Sequence, residues 1–217
     1  MIKQEKHPTS KWDDQTTTNK QNFVLNRSPK MPTKTAIADL VPFNQAYWVV
    51  PGRFMAGCYP GAEPFVDARD KLRGLLEHEI RHIINLMEPA EVNSNGNPFV
   101  PYEEKMTAIA RTMGCNLEID RRPIRDYGIP THKAMKKILD LIDLCIENNQ
   151  AIYLHCLGGL GRTGTVVGCY LARHGYDSGQ KVLDIIRALR RDTATHHLTS
   201  PETAQQIELV CSWKQGE

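Results

Sequence analysis

No stretch of this sequence approaches 18 consecutive apolar residues, and residues 1–22 lack the apolar centre of a secretory signal, so a cytoplasmic protein with no transmembrane segment is expected. Charge of one sign is lacking too. Twenty-seven Lys plus Arg stand against 25 Asp plus Glu, a formal +2, which excludes the electrostatic footprint of a dedicated nucleic-acid binder. There is no Cys-x-x-Cys: the six cysteines are scattered, several inside apolar runs, which argues against a disulfide framework and for a reduced compartment in which any cysteine chemistry uses a free thiol. Internal repeats are absent, and a monomer is expected. What is present, 217 residues of which 41% are hydrophobic and 24% charged, is the composition of a globular protein with room for one full domain and an appendage.

Residues 1–22 contain three apolar residues, Met1, Ile2 and Trp12, too few to offset the entropy of ordering. Pro29, Pro32 and Pro42 then break any long element. Residues 1–43 are therefore expected to be a polar, flexible extension, and 44–217 a single domain. Within it, strands are expected at 48–50, 53–58, 82–86, 115–120 and 151–155, and helices at 64–78, 102–113 and 131–148. This alternation implies an α/β fold with a mostly parallel central sheet of four to five strands and helices on both faces. Beyond Arg162 three helices, 165–174, 178–190 and 201–214, follow without a strand, the last expected to start with Ser200 as N-cap and Pro201 in the first turn.

The segment from Ile152 to Gly164 runs from an apolar strand into a glycine-rich loop that opens a helix. Such a loop binds phosphate, because glycines let successive backbone N–H groups converge and the helix amino terminus adds partial positive charge. Cys156 and Arg162 stand at its two ends, with Leu157, Gly158, Gly159, Leu160 and Gly161 between them. A curled loop would place the sulfur beneath the phosphorus and the guanidinium across two oxygens, in surroundings that favour a nucleophilic thiolate. The spacing alone is weak: Cys115 and Arg121 share it, but the residues between them include Glu118, Asp120 and no glycine.

Two other motifs compete. Gly159 to Gly164 matches the dinucleotide fingerprint G-x-G-x-x-G, but the required acidic residue at the end of a following strand would have to be Asp184, which lies in a helical pattern. His78-Glu79-Ile80-Arg81-His82 matches the zinc-protease H-E-x-x-H, yet its helix is expected to end near Glu79 and the pattern of a third ligand is missing. Neither a metal nor a cofactor is expected.

His155-Cys156-x5-Arg162-Thr163-Gly164 resembles the signature of the cysteine-dependent protein tyrosine and dual-specificity phosphatases. Pro123 to Pro130, around Asp126, resembles that superfamily's general-acid loop. Within the superfamily the loop is most similar to the compact dual-specificity type, including cyclin-kinase-associated phosphatases. The resemblance implies a dual-specificity-phosphatase-like fold and a phosphomonoester hydrolase working through a phosphocysteine. Cys156 would be the nucleophile, Arg162 and the loop N–H groups the anion holders, Asp126 the acid, Thr163 a hydroxyl for the departing thiolate and His155 a tuning residue.

An acid near the leaving oxygen is required in any case, and Asp120 is the alternative. Where tyrosine-specific members carry a water-positioning glutamine, this chain has Glu202, with Gln206 a second candidate. The uncharged loop favours a phosphoprotein substrate. A phosphoinositide or inositol phosphate is the alternative, with Arg121, Arg122 and Arg125 as readers of a second phosphate. A third reading, from another class, is a non-catalytic phosphate-binding module.

Overall fold

A computed structural model describes residues 41–61, 65–93 and 95–217. Its elements run β1 (Ala46–Val50), β2 (Phe54–Gly57), α1 (Phe65–Glu77), β3 (Ile80–Asn85), α2 (Glu103–Thr112), β4 (Glu118–Arg121), α3 (His132–Glu147), β5 (Ala151–His155), α4 (Gly161–Arg173), α5 (Gln180–Leu189) and α6 (Ala204–Ser212). The five strands form one sheet in the order β1-β2-β5-β3-β4. Only the edge pair β1 and β2 is antiparallel; β2, β5, β3 and β4 run parallel. The expected α/β architecture is therefore present, with five strands.

The period of two along β5 divides the core. Ile152 and Leu154 point to the face covered by α3, α4, α5 and α6, while Ala151 and Tyr153 point to the face covered by α1 and α2. Flanked by β2 and β3, β5 is buried along its whole length, which explains its unbroken apolar run. Its carboxyl end therefore opens among the carboxyl ends of three parallel strands, where open α/β sheets place their ligands. Phe43 packs edge-on against Tyr153, with ring centroids 6.0 Å apart. Residues 1–40, most of the expected extension, lie outside the described residues.

Several boundaries differ from the sequence reading. Cys115 belongs to the turn that closes α2, its N–H donating to the Ala110 carbonyl, and β4 begins only at Glu118. Helix α4 begins at Gly161, inside the glycine loop, rather than at Thr165. Helix α6 starts at Ala204 instead of Pro201; Ser200 turns its hydroxyl away to the Leu160 carbonyl, to which it donates at 2.8 Å. Thr203 is the N-cap, in a reciprocal capping box with Gln206. Among the described residues no helix is long and apolar enough to cross a membrane.

Candidate active site

The loop after β5 is held in shape at both ends. The Tyr59 N–H donates to the Leu157 carbonyl at 2.9 Å, extending the β2–β5 ladder by one step, and the Gly164 N–H donates to the Leu160 carbonyl at 2.9 Å as α4 begins. Gly159 sits at φ +73°, and a Cβ there would lie 2.6 to 2.8 Å from backbone atoms of Gly57 and Cys58. Only glycine fits, so the loop presses directly on the end of β2. Thr163, fully buried, closes the turn from inside: its Oγ1 accepts from the Cys156 N–H at 2.9 Å and stands 3.1 Å from Cys156 Sγ. The Gly57 carbonyl is farther, at 3.4 Å, so the single hydroxyl proton is directed to the sulfur.

Arg162 is 1% exposed, and its guanidinium is almost fully committed. Nη1 and Nη2 grip the two carboxylate oxygens of Glu91, the second contact at 3.1 Å. Nη1 also donates to the Ile124 carbonyl at 3.2 Å, and Nη2 lies 3.0 Å from Asp126 Oδ1. Burial works against the charged guanidinium, but Glu91, Cys156 and Asp126 outweigh it and hold the group above its ordinary range. Nε alone is buried with no partner. An unsatisfied cationic N–H costs free energy, and this edge of the fork can donate to a ligand oxygen.

The Asp126 carboxylate is half-exposed, on the loop between β4 and α3, and meets the glycine loop through Arg162. Tyr127, next to it, has φ +55°. Helix α6 anchors this loop from the other side. Gln206 Nε2 donates to the Gly128 carbonyl at 3.0 Å, while its Oε1 accepts from the Glu202 and Thr203 N–H groups.

His155 is fully buried. Its Nδ1 faces the Cys156 carbonyl at 3.1 Å, an acceptor only, so the ring proton is on Nδ1; Nε2 then accepts from the Tyr102 hydroxyl at 2.7 Å. Burial pushes His155 down to about 3 and raises Tyr102 well above its ordinary range. Both are neutral, and the pair pins the carbonyl of the residue that carries the thiol.

The geometry sorts the other sequence candidates. Asp120 is bound to His82 Nε2 and to Arg122, each at 2.9 Å, so it serves a structural network behind β4. His82 lies in β3 with Nδ1 3.4 Å from the Cys145 thiol, while His78 Nδ1 bonds the Gly74 carbonyl at the end of α1. The H-E-x-x-H segment thus straddles a helix end and a strand. Asp184 lies in α5 paired with Arg187, and α4 is followed by another helix, which removes the dinucleotide reading. Cys115 faces the Ala110 carbonyl, and Arg121 pairs with Glu103, so the second Cys-x5-Arg forms no loop. Glu202 and Gln206 both reach Gly161, where an added Cβ would stand 2.5 Å from Glu202 Oε2 and 3.0 Å from Gln206 Oε1. Gln206 spends its oxygen and one N–H on structure. Glu91 and Tyr102 were not among the sequence candidates; nothing in the local pattern around either marks it.

A family model described as "Polymorphic toxin system, DSP-PTPase phosphatase" matches residues 61–176, more than half of the chain. The human "Dual specificity protein phosphatase CDC14C" is 26% identical over 143 residues, covering 66% of this chain and 29% of its own length. Uncharacterized protein MJECL20 of Methanocaldococcus jannaschii is 41% identical over 91 residues, 42% of this chain and 56% of its own. The chain thus spans under a third of the human relative and little more than half of the archaeal one. The crystal structure of Tk-PTP in the active form superposes with a TM-score of 0.57 at 24% identity, over 77% of this chain and 95% of that one, a likeness of fold. With the matched segment holding Asp126 and the whole loop from Cys156 to Arg162, the chain belongs to the DSP-PTPase phosphatase family that this model describes.

Proposed function

We propose that this chain hydrolyses phosphomonoesters of proteins, as a dual-specificity or tyrosine phosphatase, through a phosphocysteine on Cys156. The observation that carries the reading is the Arg162 fork: a buried guanidinium held by Glu91 with its Nε unpartnered, in the loop that also holds the Cys156 sulfur. In this reading the Cys156 thiolate attacks phosphorus, forming an S–P bond as the ester P–O bond breaks. Arg162 and the loop N–H groups hold the three equatorial oxygens, and Asp126 gives its proton to the leaving oxygen. Water then attacks the phosphocysteine, Asp126 takes its proton, and the Thr163 hydroxyl stabilises the departing thiolate. His155 fixes the loop through the Cys156 carbonyl. No step calls for a metal.

The phosphoprotein assignment rests on charge. Leu157, Gly158, Gly159 and Leu160 bring none; of the three arginines near Asp126, Arg121 and Arg122 are engaged by Glu103 and Asp120, and the exposed Arg125 remains as a reader of a second phosphate in the phosphoinositide alternative. Six free thiols and a thiolate nucleophile fit a reducing, cytoplasmic setting. The test is turnover of a small aryl phosphate with chelator present. The expected result is chelator-insensitive hydrolysis, blocked by vanadate and absent in Cys156→Ser. Binding of vanadate without any turnover would make the chain a phosphate-reading module instead.

A further inference from the structure

Against the glycine loop lies a cavity of about 360 Å³. Tyr59, Phe99, Val100 and Leu157 form its apolar wall, and the Cys58 thiol and Lys71 also line it. The wall is continuous with the loop, since Leu157 directly follows Cys156 and its carbonyl accepts from the Tyr59 N–H. Tyr59 also fastens the far side: its hydroxyl donates to the Val100 carbonyl, and its ring meets Phe99 with centroids 5.4 Å apart. Burial pushes the Cys58 thiol up to about 11, leaving it neutral, so Lys71 is the one charged group among the described lining residues. Val100 is 40% exposed, an apolar side chain facing water beside the site.

We propose that this cavity is a specificity pocket for a phosphopeptide, taking an apolar side chain that flanks the phosphorylated residue. The inference rests on the phosphatase reading of Cys156. A phosphate held at Arg162 brings the rest of its carrier against the neighbouring surface, and this is where that surface is concave and apolar. Gln45 and Asn93 add polar groups to the lining, but its greater part is apolar, and there an aliphatic or aromatic side chain gains from leaving water while an inositol ring's hydroxyls do not. Lys71 adds a preference among the remaining positions, tolerating an acidic neighbour and disfavouring a basic one.

The test uses the full chain and phosphotyrosine peptides identical except at the two flanking positions, which carry Leu, Ala, Asp or Lys. A small aryl phosphate is measured alongside. The expected kcat/KM for the Leu peptide exceeds that for Ala by roughly tenfold or more, the increment that burying a few methylenes supplies, with Lys the poorest. Val100→Asp should abolish the Leu preference and Lys71→Glu should invert the order of Asp and Lys, both with aryl phosphate turnover unchanged. A flat peptide series in an enzyme that turns over the aryl phosphate would overturn the pocket and leave the phosphatase reading standing. So would a Leu preference that survives Val100→Asp, or faster hydrolysis of a phosphoinositide in vesicles than of any peptide. No turnover of any substrate would overturn the phosphatase reading and the pocket with it.

Discussion

Glu91 and Arg162, 71 residues apart in the chain, form a two-pronged ion pair that fixes the guanidinium plane beneath the Cys156 loop. Glu91 Oε1 also accepts from the Glu88 N–H at 2.7 Å, so the carboxylate is itself held by the loop after β3.

Removing that carboxylate should loosen the fork without touching Cys156. Breaking one partner of a buried pair costs about 3–5 kcal/mol, reduced here because Asp126 and the Ile124 carbonyl stay. Glu91→Ala is expected to lower the melting temperature and to reduce kcat/KM by roughly 10- to 100-fold. Vanadate should restore part of the lost stability by supplying the missing anion. Melting curves with and without vanadate, beside steady-state kinetics, check this; unchanged values in all three would remove Glu91 from the site.

Two adjacent glycines should respond differently to alanine. At Gly158 an added Cβ meets nothing nearer than Leu160, 3.9 Å away, so activity within a few-fold of wild type is expected. At Gly159 the positive φ and the contact with the backbone of Gly57 and Cys58 force the loop to move. Gly159→Ala should lose at least a hundredfold in kcat/KM, and kinetics of the two variants decide the matter.

His155 gives a pH dependence of stability. Its folded pKa of about 3 lies below its ordinary 6.5, so the folded state binds fewer protons than the unfolded one between those values. Its contribution is complete above pH 6.5 and is lost as pH falls towards 3, on the order of 5 kcal/mol in all at about 1.4 kcal/mol per unit. Denaturant titrations should show wild-type stability falling over that window. In His155→Asn the fall should be shallower, with little change in slope above pH 6.5.

The acid is tested by leaving groups. Asp126→Asn should depress turnover strongly for alkyl phosphates and phosphotyrosine and weakly for activated aryl phosphates, whose leaving groups depart as anions. Asp120→Asn should leave that dependence alone and instead cost stability, since it frees His82 and Arg122. The reverse pattern in a series of aryl phosphates would exchange the two roles.

The contrast between what local sequence reveals and what it hides follows from chain separation. Strand β5, the glycine loop and Arg162 were legible because an apolar run, glycines and a helix start fall within 13 consecutive residues, and each carries its own conformational signal. The start of α6 departs from the local pattern for a physical reason: Ser200 and Pro201 look like a helix start, but Ser200 turns its hydroxyl to the carbonyl of Leu160, 40 residues away. The capping box Thr203-x-x-Gln206 was the local signal that marks the true start. Glu91 and Tyr102 were beyond reach, since their partners Arg162 and His155 lie 71 and 53 residues distant and meet them only through the packing of β3 and α2 beside β5.

The central claim is a covalent intermediate on one sulfur. Rapid-quench mass spectrometry of the full chain, during turnover of an aryl phosphate, should find a single phosphoryl group on the peptide that contains Cys156. It should accumulate further in Asp126→Asn with an activated substrate, because release then lacks its base, and be absent in Cys156→Ser. Steady turnover with no phosphorylated cysteine, or a phosphoenzyme that persists in Cys156→Ser, would contradict the account.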